Sequence, residues 1–444
     1  MQQQPFLLSF SDPSILALIQ QLPSSPFPLM KTTYADVRED EKGVLDRQFQ
    51  KCAFFKHDTR FESPRPPPTR LAIFDFDSTL FYSPLLSPTI WHPTLVQAVT
   101  TEGLCGPGWW RDIRSLQLGA DVEQTRWQGY WNPGVMVEVR AALADPKTLT
   151  VLLTGRRVHP FYDLVSKMIK SQGLEFDMVC LRPDPEEPHG ASVFDSTMDY
   201  KLSFLLHLLH TVPTLQSVDM WDDRPPHVRR FQAFLDQLCS DQGLIKDASV
   251  HAVHGIRPRY NPKWEHDTVE RIIGPSKQYT LVPVASSTVI TLDPSTITNL
   301  TNRFHYNPPP KMTGEVPVLF ADTIVLSLKP LSKHRVPFGG IGTRVQAKVV
   351  ALYEHRFRGL FLKVRVRDDS GDDDDEEEED YSENTYCLPL YFKPSERSHL
   401  SRFHEWKWEP VRPMDQIVLH GKVDYSYLYG LDTPIKHPKR KRDN

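Results

Sequence analysis

The sequence predicts an α/β fold with a doubly wound parallel sheet, interrupted by a tryptophan-rich insertion and followed by a separate β-rich domain. Two observations lead there. From Leu71 to about residue 255, short apolar runs alternate with segments of helical spacing, and alternation at that length implies right-handed crossovers and parallel pairing. From about residue 275 onward, helical spacing gives way to runs of strand character.

In chain order, residues 1–69 are rich in Gln, Pro and Ser and end in Pro64-Arg65-Pro66-Pro67-Pro68. That composition predicts a partly disordered extension, with one helix near Ile15 to Leu22 and a stiff polyproline linker. Leu71 to Phe74, Leu149 to Leu153, Phe176 to Leu181 and Ser217 to Trp221 read as buried strands. Phe161, Leu164, Val165, Met168 and Ile169 keep helical spacing up to Gly173, a natural C-cap. Tyr200, Phe204, Leu205, Leu208 and Leu209 mark a second helix. Val228, Phe231, Leu235 and Leu238 mark a third, opened by Pro225-Pro226. This domain is assigned to 70–272, with the insertion at about 88–135. The stretches from Tyr279, Thr288, Thr323, Val345, Leu360 and Gln416 predict a mostly antiparallel domain over 273–435.

No apolar run reaches the roughly 18 residues that span a bilayer, so no membrane partner is expected. No charged segment precedes the first apolar residues at the N-terminus, which argues against a secretory signal. The cysteines at 52, 105, 180, 239 and 387 lack disulfide-framework or zinc spacing and suit a reducing, intracellular compartment. The acidic run Asp372 to Asp380, in a loop over 368–384, reads as a solvated loop. The tail Lys436-His437-Pro438-Lys439-Arg440-Lys441-Arg442, within 436–444, reads as a nuclear import signal, a phosphate-binding arm or a solubilising end, leaving nucleus and cytoplasm both open.

In doubly wound sheets ligands bind beyond the carboxyl ends of the strands, and polar residues follow three of the four predicted strands. Asp75 and Asp77, two apart after the first strand, can serve as nucleophile on phosphorus and proton donor to the leaving oxygen. After the second strand, the Thr154 hydroxyl can bond a phosphoryl oxygen, and Gly155 lets the backbone come close. Lys201, near the start of its helix, can neutralise phosphoryl charge. Asp222 and Asp223 end the fourth strand as ligands suited to magnesium, which takes one or two carboxylates plus water and phosphate.

Asp75-x-Asp77-x-Thr79, Thr154, Lys201 and Asp222-Asp223, in that order, resemble the four motifs of the haloacid dehalogenase (HAD) superfamily. More specifically, FDFDSTLF, PGWW, GYWNP, VLLTGR, GLEFDMVCLRP, FDSTMDYK and DDRPPHVRRF resemble the HAD domain of Swiss Army Knife RNA-repair-like proteins, over residues 71 to about 235. The resemblance implies a Rossmannoid fold and an aspartyl-phosphate mechanism. Asp75 is then the nucleophile, Asp77 the acid and base, and Thr154 and Lys201 hold the phosphate. Mg2+ lies on Asp75, Asp223 and the Asp77 carbonyl. Where the family pattern has Glu-Asp-Arg-Pro, this chain has Asp222-Asp223-Arg224-Pro225, so either aspartate can meet the metal, with Asp223 favoured.

Thr79, Gly155, Arg156 and Arg224 complete the candidate site as substrate-binding residues. The tryptophans at 91, 109, 110, 127 and 131 form either the small core of a cap or, interleaved with Arg111, Arg114 and Arg126, a surface that stacks bases. Trp406 and Trp408, alternating with Lys407, suggest strand faces. His399-Leu400-Ser401 is an unpaired His-x-Ser, so no second catalytic centre is expected in the C-terminal domain. The expected function is a magnesium-dependent phosphatase of nucleotide or RNA-terminal phosphates, with a possible protein partner on the C-terminal domain. The alternatives are a non-catalytic RNA- or protein-binding scaffold and a small-molecule or protein phosphatase.

Overall fold

A computed structural model describes residues 31–52, 65–88, 90–185, 192–240, 243–253, 261–274, 279–306, 318–319, 322–356, 358–368, 384–412 and 416–432. The helix expected near Ile15 to Leu22, the acidic run and the basic tail lie outside these residues.

The chain joins the α/β core earlier than its composition suggests. A short helical turn at Tyr34–Asp36 leads into α1 (Glu39–Phe49), whose Val44, Leu45 and Phe49 enter the main core cluster. This corrects the assignment of all of 1–69 to an extension. Beyond it come β1 (Arg70–Phe74), α2 (Pro93–Thr100), α3 (Ala120–Gln124), α4 (Pro133–Ala144), β2 (Thr148–Arg157), α5 (Val158–Ser171) and β3 (Met178–Arg182). There follow α6 (Thr197–Thr211), β4 (Ser217–Asp222), α7 (Pro225–Ser240), β5 (Asp247–Ala252) and α8 (Pro262–Ile273). The sheet order is β3-β2-β1-β4-β5, every neighbour parallel. In register, Phe74 at the end of β1 lies beside Leu152 of β2 and Trp221 of β4. The polar residues that follow each of these therefore emerge together. The edge strand β5, Asp-Ala-Ser-Val-His-Ala, lacks the apolar run that exposes a buried strand in a sequence.

The helix α6 explains why α1 belongs to the core. Its apolar face was legible, yet nearly all of it is buried, including Asp199, Ser203 and His207. Those three are spaced by four and share one face, which a sequence presents as solvated. The N-terminal segment covers it and supplies a partner to each polar group. Lys31 Nζ donates to Asp199 at 2.6 Å, to Ser203 at 2.8 Å and to the fully buried Glu41. His207 Nε2 lies 2.8 Å from Asp46.

The second half of the chain forms β6 (Thr280–Leu292), α9 (Pro294–Arg303), β7 (Val318–Leu319), β8 (Thr323–Ser327), β9 (Arg344–His355), β10 (Gly359–Asp368), β11 (Thr385–Phe392), β12 (Glu409–Pro410) and β13 (Val418–Asp432). Pairing runs β10-β11-β8-β6-β13-β9, and β9 also pairs with β10, so the antiparallel sheet closes on itself. The strands expected at Tyr279 and Thr288 are one strand, β6, bulged opposite Ser426 and Tyr427 of β13. Gly359 is required where β10 meets β11: a Cβ there would stand 1.9 Å from the Tyr391 carbonyl oxygen. Trp406 and Trp408 are not on strand faces. They follow the helical stretch Pro394–Glu405 and pack on Tyr353, at 4.9 and 5.9 Å between ring centres. Among the described residues no helix is long and apolar enough to cross a membrane.

Lys31 is the one link in this network that a single substitution removes cleanly. Lys31→Ala leaves buried Glu41 with only the Arg38 guanidinium, 3.4 Å away and largely exposed, and takes the cation from Asp199; breaking a buried pair costs up to about 3–5 kcal/mol. A correspondingly lower urea midpoint for the α/β domain is expected. An unchanged midpoint would show that the N-terminal segment is not part of the folding unit.

Candidate active site

The turn after β1 is built to return Asp77 to the sheet end. Ser78 has φ 59°, its amide donates to the Phe81 carbonyl, and the Leu80 amide donates back to the Asp75 carbonyl. Asp75 is itself held by its amide, which donates to the Trp221 carbonyl of β4 at 3.0 Å. The two carboxylates thus share one end of the sheet but have different partners.

Asp75 and Asp222 share one cation. Lys201, with 0% exposure, reaches from the first half of α6 and donates to Asp75 Oδ1 at 2.7 Å and to Asp222 Oδ2 at 3.0 Å. Burial opposes the charge on Lys201, but the two carboxylates outweigh it and raise the ammonium above its usual range. Asp222 also accepts from the Arg224 amide at 3.0 Å and faces His227 Nδ1 at 3.6 Å. Burial works against its charge, yet these contacts, led by Lys201, hold its carboxyl well below the usual range.

Asp223 and Asp75 go the other way. Burial, then the charges of Asp75 and Asp222, push Asp223 up to about 7. Burial pushes Asp75 up to about 6 against the pull of Lys201, with Asp222 adding to the rise. Buried Asp75 and half-buried Asp223, whose like charges repel, are a donor set a divalent cation would relieve. Asp222 differs from Asp75 in having the Arg224 amide and His227 as further partners beside Lys201. Among the described residues, the group of three metal-type side chains close enough to share an ion is His266, Asp267 and Glu270 on α8, well removed in sequence from this site.

Asp77 is gripped by Arg156, which was expected to bind substrate. Arg156 is 2% exposed and its Nε and Nη2 donate to Asp77 Oδ1 at 3.0 and 2.8 Å. Its Nη1 donates to Ser115 Oγ at 2.8 Å, and its guanidinium lies 5.1 Å from the Trp110 ring and 4.6 Å from that of Phe161. Ser83 Oγ donates to Asp77 Oδ1 at 2.6 Å and Thr154 Oγ1 to Oδ2 at 3.4 Å. Burial raises the Asp77 carboxyl, but Arg156 and Ser83 outweigh it and hold it below the usual range. A buried guanidinium committed to a carboxylate is a poor substrate contact, so Arg156 acts on Asp77 instead.

The remaining candidates divide. Gly155 gives room to α6, since a Cβ would stand 2.5 Å from Thr197 Cγ2, and its carbonyl accepts from Arg111 at 3.0 Å. Thr79 is fully buried with no partner for Oγ1 among the described residues, so it faces the interior of the turn. Arg224 is exposed, and its charge reaches Asp75, Asp77 and Asp223. Four of the insertion tryptophans, 91, 109, 127 and 131, are buried, while Trp110 is half-buried beside Arg156. Trp91 donates to the buried Glu265 of α8 at 2.6 Å and bridges to Tyr429 of β13. The core reading therefore describes these four. Ser83 and Ser115 carried no signal in the sequence, because a single serine outside a motif has none; Arg111 was read there only as part of a base-stacking surface, and His227 stood in DDRPPHVRRF without a role.

Residues 83–278, beginning just after the Asp75–Thr79 turn, match the model of HAD domain family 1 in Swiss Army Knife RNA repair proteins. An uncharacterised protein of Saccharomyces cerevisiae is 26% identical over 188 residues, 40% of this chain and 39% of that protein. The chain thus spans about two-fifths of the length of this curated relative. Among solved structures, the HAD domain of the effector protein Lem4 from Legionella pneumophila, an inactive mutant, is similar at 11% identity over 46% of this chain and 92% of that one, with a TM-score of 0.25. The α/β half of this chain is thus similar to HAD domain family 1 in Swiss Army Knife RNA repair proteins.

Proposed function

We propose that the α/β domain is a phosphomonoesterase that works through a phosphoaspartate on Asp75 and acts on nucleotide or RNA-terminal phosphates. The observation that carries this reading is the buried ammonium of Lys201 between Asp75 and Asp222. Desolvating three charges costs several kcal/mol per ion even after relaxation. A scaffold with no use for them would be as stable with apolar side chains there.

In the first half of the reaction an Asp75 oxygen bonds to phosphorus as the bond from phosphorus to the leaving oxygen breaks. That oxygen takes a proton from Asp77. Because Arg156 holds Asp77 ionised before substrate binds, the proton enters with the monoanion of the phosphate ester. In the second half, water attacks phosphorus, Asp77 accepts its proton, and the Asp75–phosphorus bond breaks to free phosphate. Lys201 faces the developing charge throughout. Magnesium held by Asp75 and Asp223 would supply further neutralisation of the phosphoryl oxygens. The RNA-terminal substrate class is supported by the family's description and by the half-buried Trp110 next to the site.

Asp75→Asn is isosteric and a far poorer nucleophile, so magnesium-dependent turnover of an aryl phosphate should vanish while thermal unfolding stays close to wild type. Near-wild-type turnover in that variant sinks the nucleophile assignment. Asp77→Asn should slow turnover by about 10²–10⁴-fold, the scale of a lost general acid, and should slow alkyl phosphates more than aryl ones because the poorer leaving group depends on the proton. Equal losses on both would remove Asp77 from the proton-donor role. Lys201→Met strands two buried carboxylates and should cost about 3–5 kcal/mol of stability, read from denaturant midpoints, as well as activity. A screen of phosphorylated nucleotides, RNA ends and phosphopeptides then tests the substrate class. Preference for phosphopeptides would overturn the nucleotide reading.

A further inference from the structure

Three arginines that the chemistry above does not use converge at the carboxyl ends of β2 and β3. Arg157 ends β2 and Arg182 ends β3, and the two are paired in register. They are 7% and 6% exposed. Arg111, from the insertion, joins them through its bond to the Gly155 carbonyl. The three guanidinium groups feel one another: burial, then Arg157, lowers Arg111 from its usual range, and burial, then Arg111 and Arg157, lowers Arg182 to about 10.

Their partners are poor for buried cations. Arg157 Nη1 donates to the Pro183 carbonyl at 3.1 Å, and Arg182 Nη2 donates to Ser192 Oγ at 3.1 Å and to the Phe194 carbonyl. The Nε atoms of both Arg157 and Arg182 are buried and have no hydrogen-bond partner among the described residues. The carboxylate that does approach is Glu102, whose side chain is 55% exposed. It lies 3.3 Å from Arg111 Nε and 3.7 Å from Arg157 Nη2. A solvent-side carboxylate bridging two guanidinium forks occupies the position a phosphate would take with better geometry and more charge.

We infer that Arg111, Arg157 and Arg182 form a second anion site next to the catalytic carboxylates, which takes a phosphate group of the substrate other than the one removed, in exchange for Glu102. The inference rests on the phosphatase reading and narrows its substrate to molecules with two phosphates. Arg156, paired to Asp77 on one side and within the field of Arg111 on the other, links the two sites. The second phosphate has two possible sources, the backbone of a nucleotide chain or a small bisphosphate.

The test is calorimetric binding to the full chain carrying Asp75→Asn, with three ligands: thymidine 5′-monophosphate, thymidine 3′,5′-bisphosphate and the 5′-phosphorylated dinucleotide of thymidine. At least one two-phosphate ligand should bind about tenfold more tightly than the monophosphate, the scale of one charge-assisted hydrogen bond. Adding Glu102→Gln should increase that gain, an outcome that misfolding does not produce. Arg157→Gln should abolish the gain and Arg157→Lys should keep part of it. A gain for the dinucleotide alone assigns the site to a strand, and a gain for the bisphosphate alone assigns it to a small metabolite. Equal affinities for all three ligands, in both the parent and the Glu102→Gln protein, overturn the site. Aryl phosphate turnover by the wild-type protein reads the phosphatase assignment separately, so the failure of either leaves the other standing.

Discussion

One ammonium group, Lys201 Nζ, lies between carboxylates that arrive from two different strands, and none of the three side chains is exposed to more than a trace of solvent. Each of these charges would be costly alone in the interior, and Lys201 offsets part of that cost for both carboxylates. That shared cation ties β1 to β4 at their carboxyl ends and sets the depth at which α6 must sit. A helix seated that deep has no solvated face left. The Asp199, Ser203 and His207 face therefore needs its own cover, and the Lys31–Asp46 region provides it. The buried site and the N-terminal helix are in this sense one problem with two parts.

The insertion between the first two strands has a similar double role. Trp91 and Trp109 pack with Leu95, Val99, Val269 and Ile272, joining it to α8, while Trp127 and Trp131 pack with Phe81 and Leu152 in the α/β core. Between these anchors, Trp110, Arg111 and Ser115 reach the strand ends. Ser115 and Trp110 both touch Arg156, and Arg156 grips Asp77. A shift of the insertion is thus transmitted to Asp77 through one guanidinium. A single-residue step along β2 sends Arg156 toward Asp77 and Arg157 toward the end of β3.

The parallel sheet and the carboxylates at its edge were legible in the sequence because both rest on local signals. Buried strands of a parallel sheet are continuous apolar runs, and Asp75, Asp77, Thr154, Asp222 and Asp223 directly follow or end them. Lys201 was legible by its place near the start of an apolar helix. The barrel was legible only as a series of strands, since its closure depends on β9 pairing with β10 and with β13, contacts no single segment encodes. The edge strand β5 was not legible, because an edge needs no continuous apolar run.

Tertiary structure alone decided how the charges pair. Arg156 looks like a surface arginine beside a glycine, and only the turn after β1 brings Asp77 within reach of it. Asp222 and Asp223 are adjacent and alike in sequence; Lys201 and His227 claim the first and leave the second raised. The polar face of α6 reads as solvated until α1 lies on it. In each case the residue type was plain from the sequence, but its charge state and partner depend on groups distant in the chain, and electrostatic energy is a function of distance and burial rather than of order along the backbone.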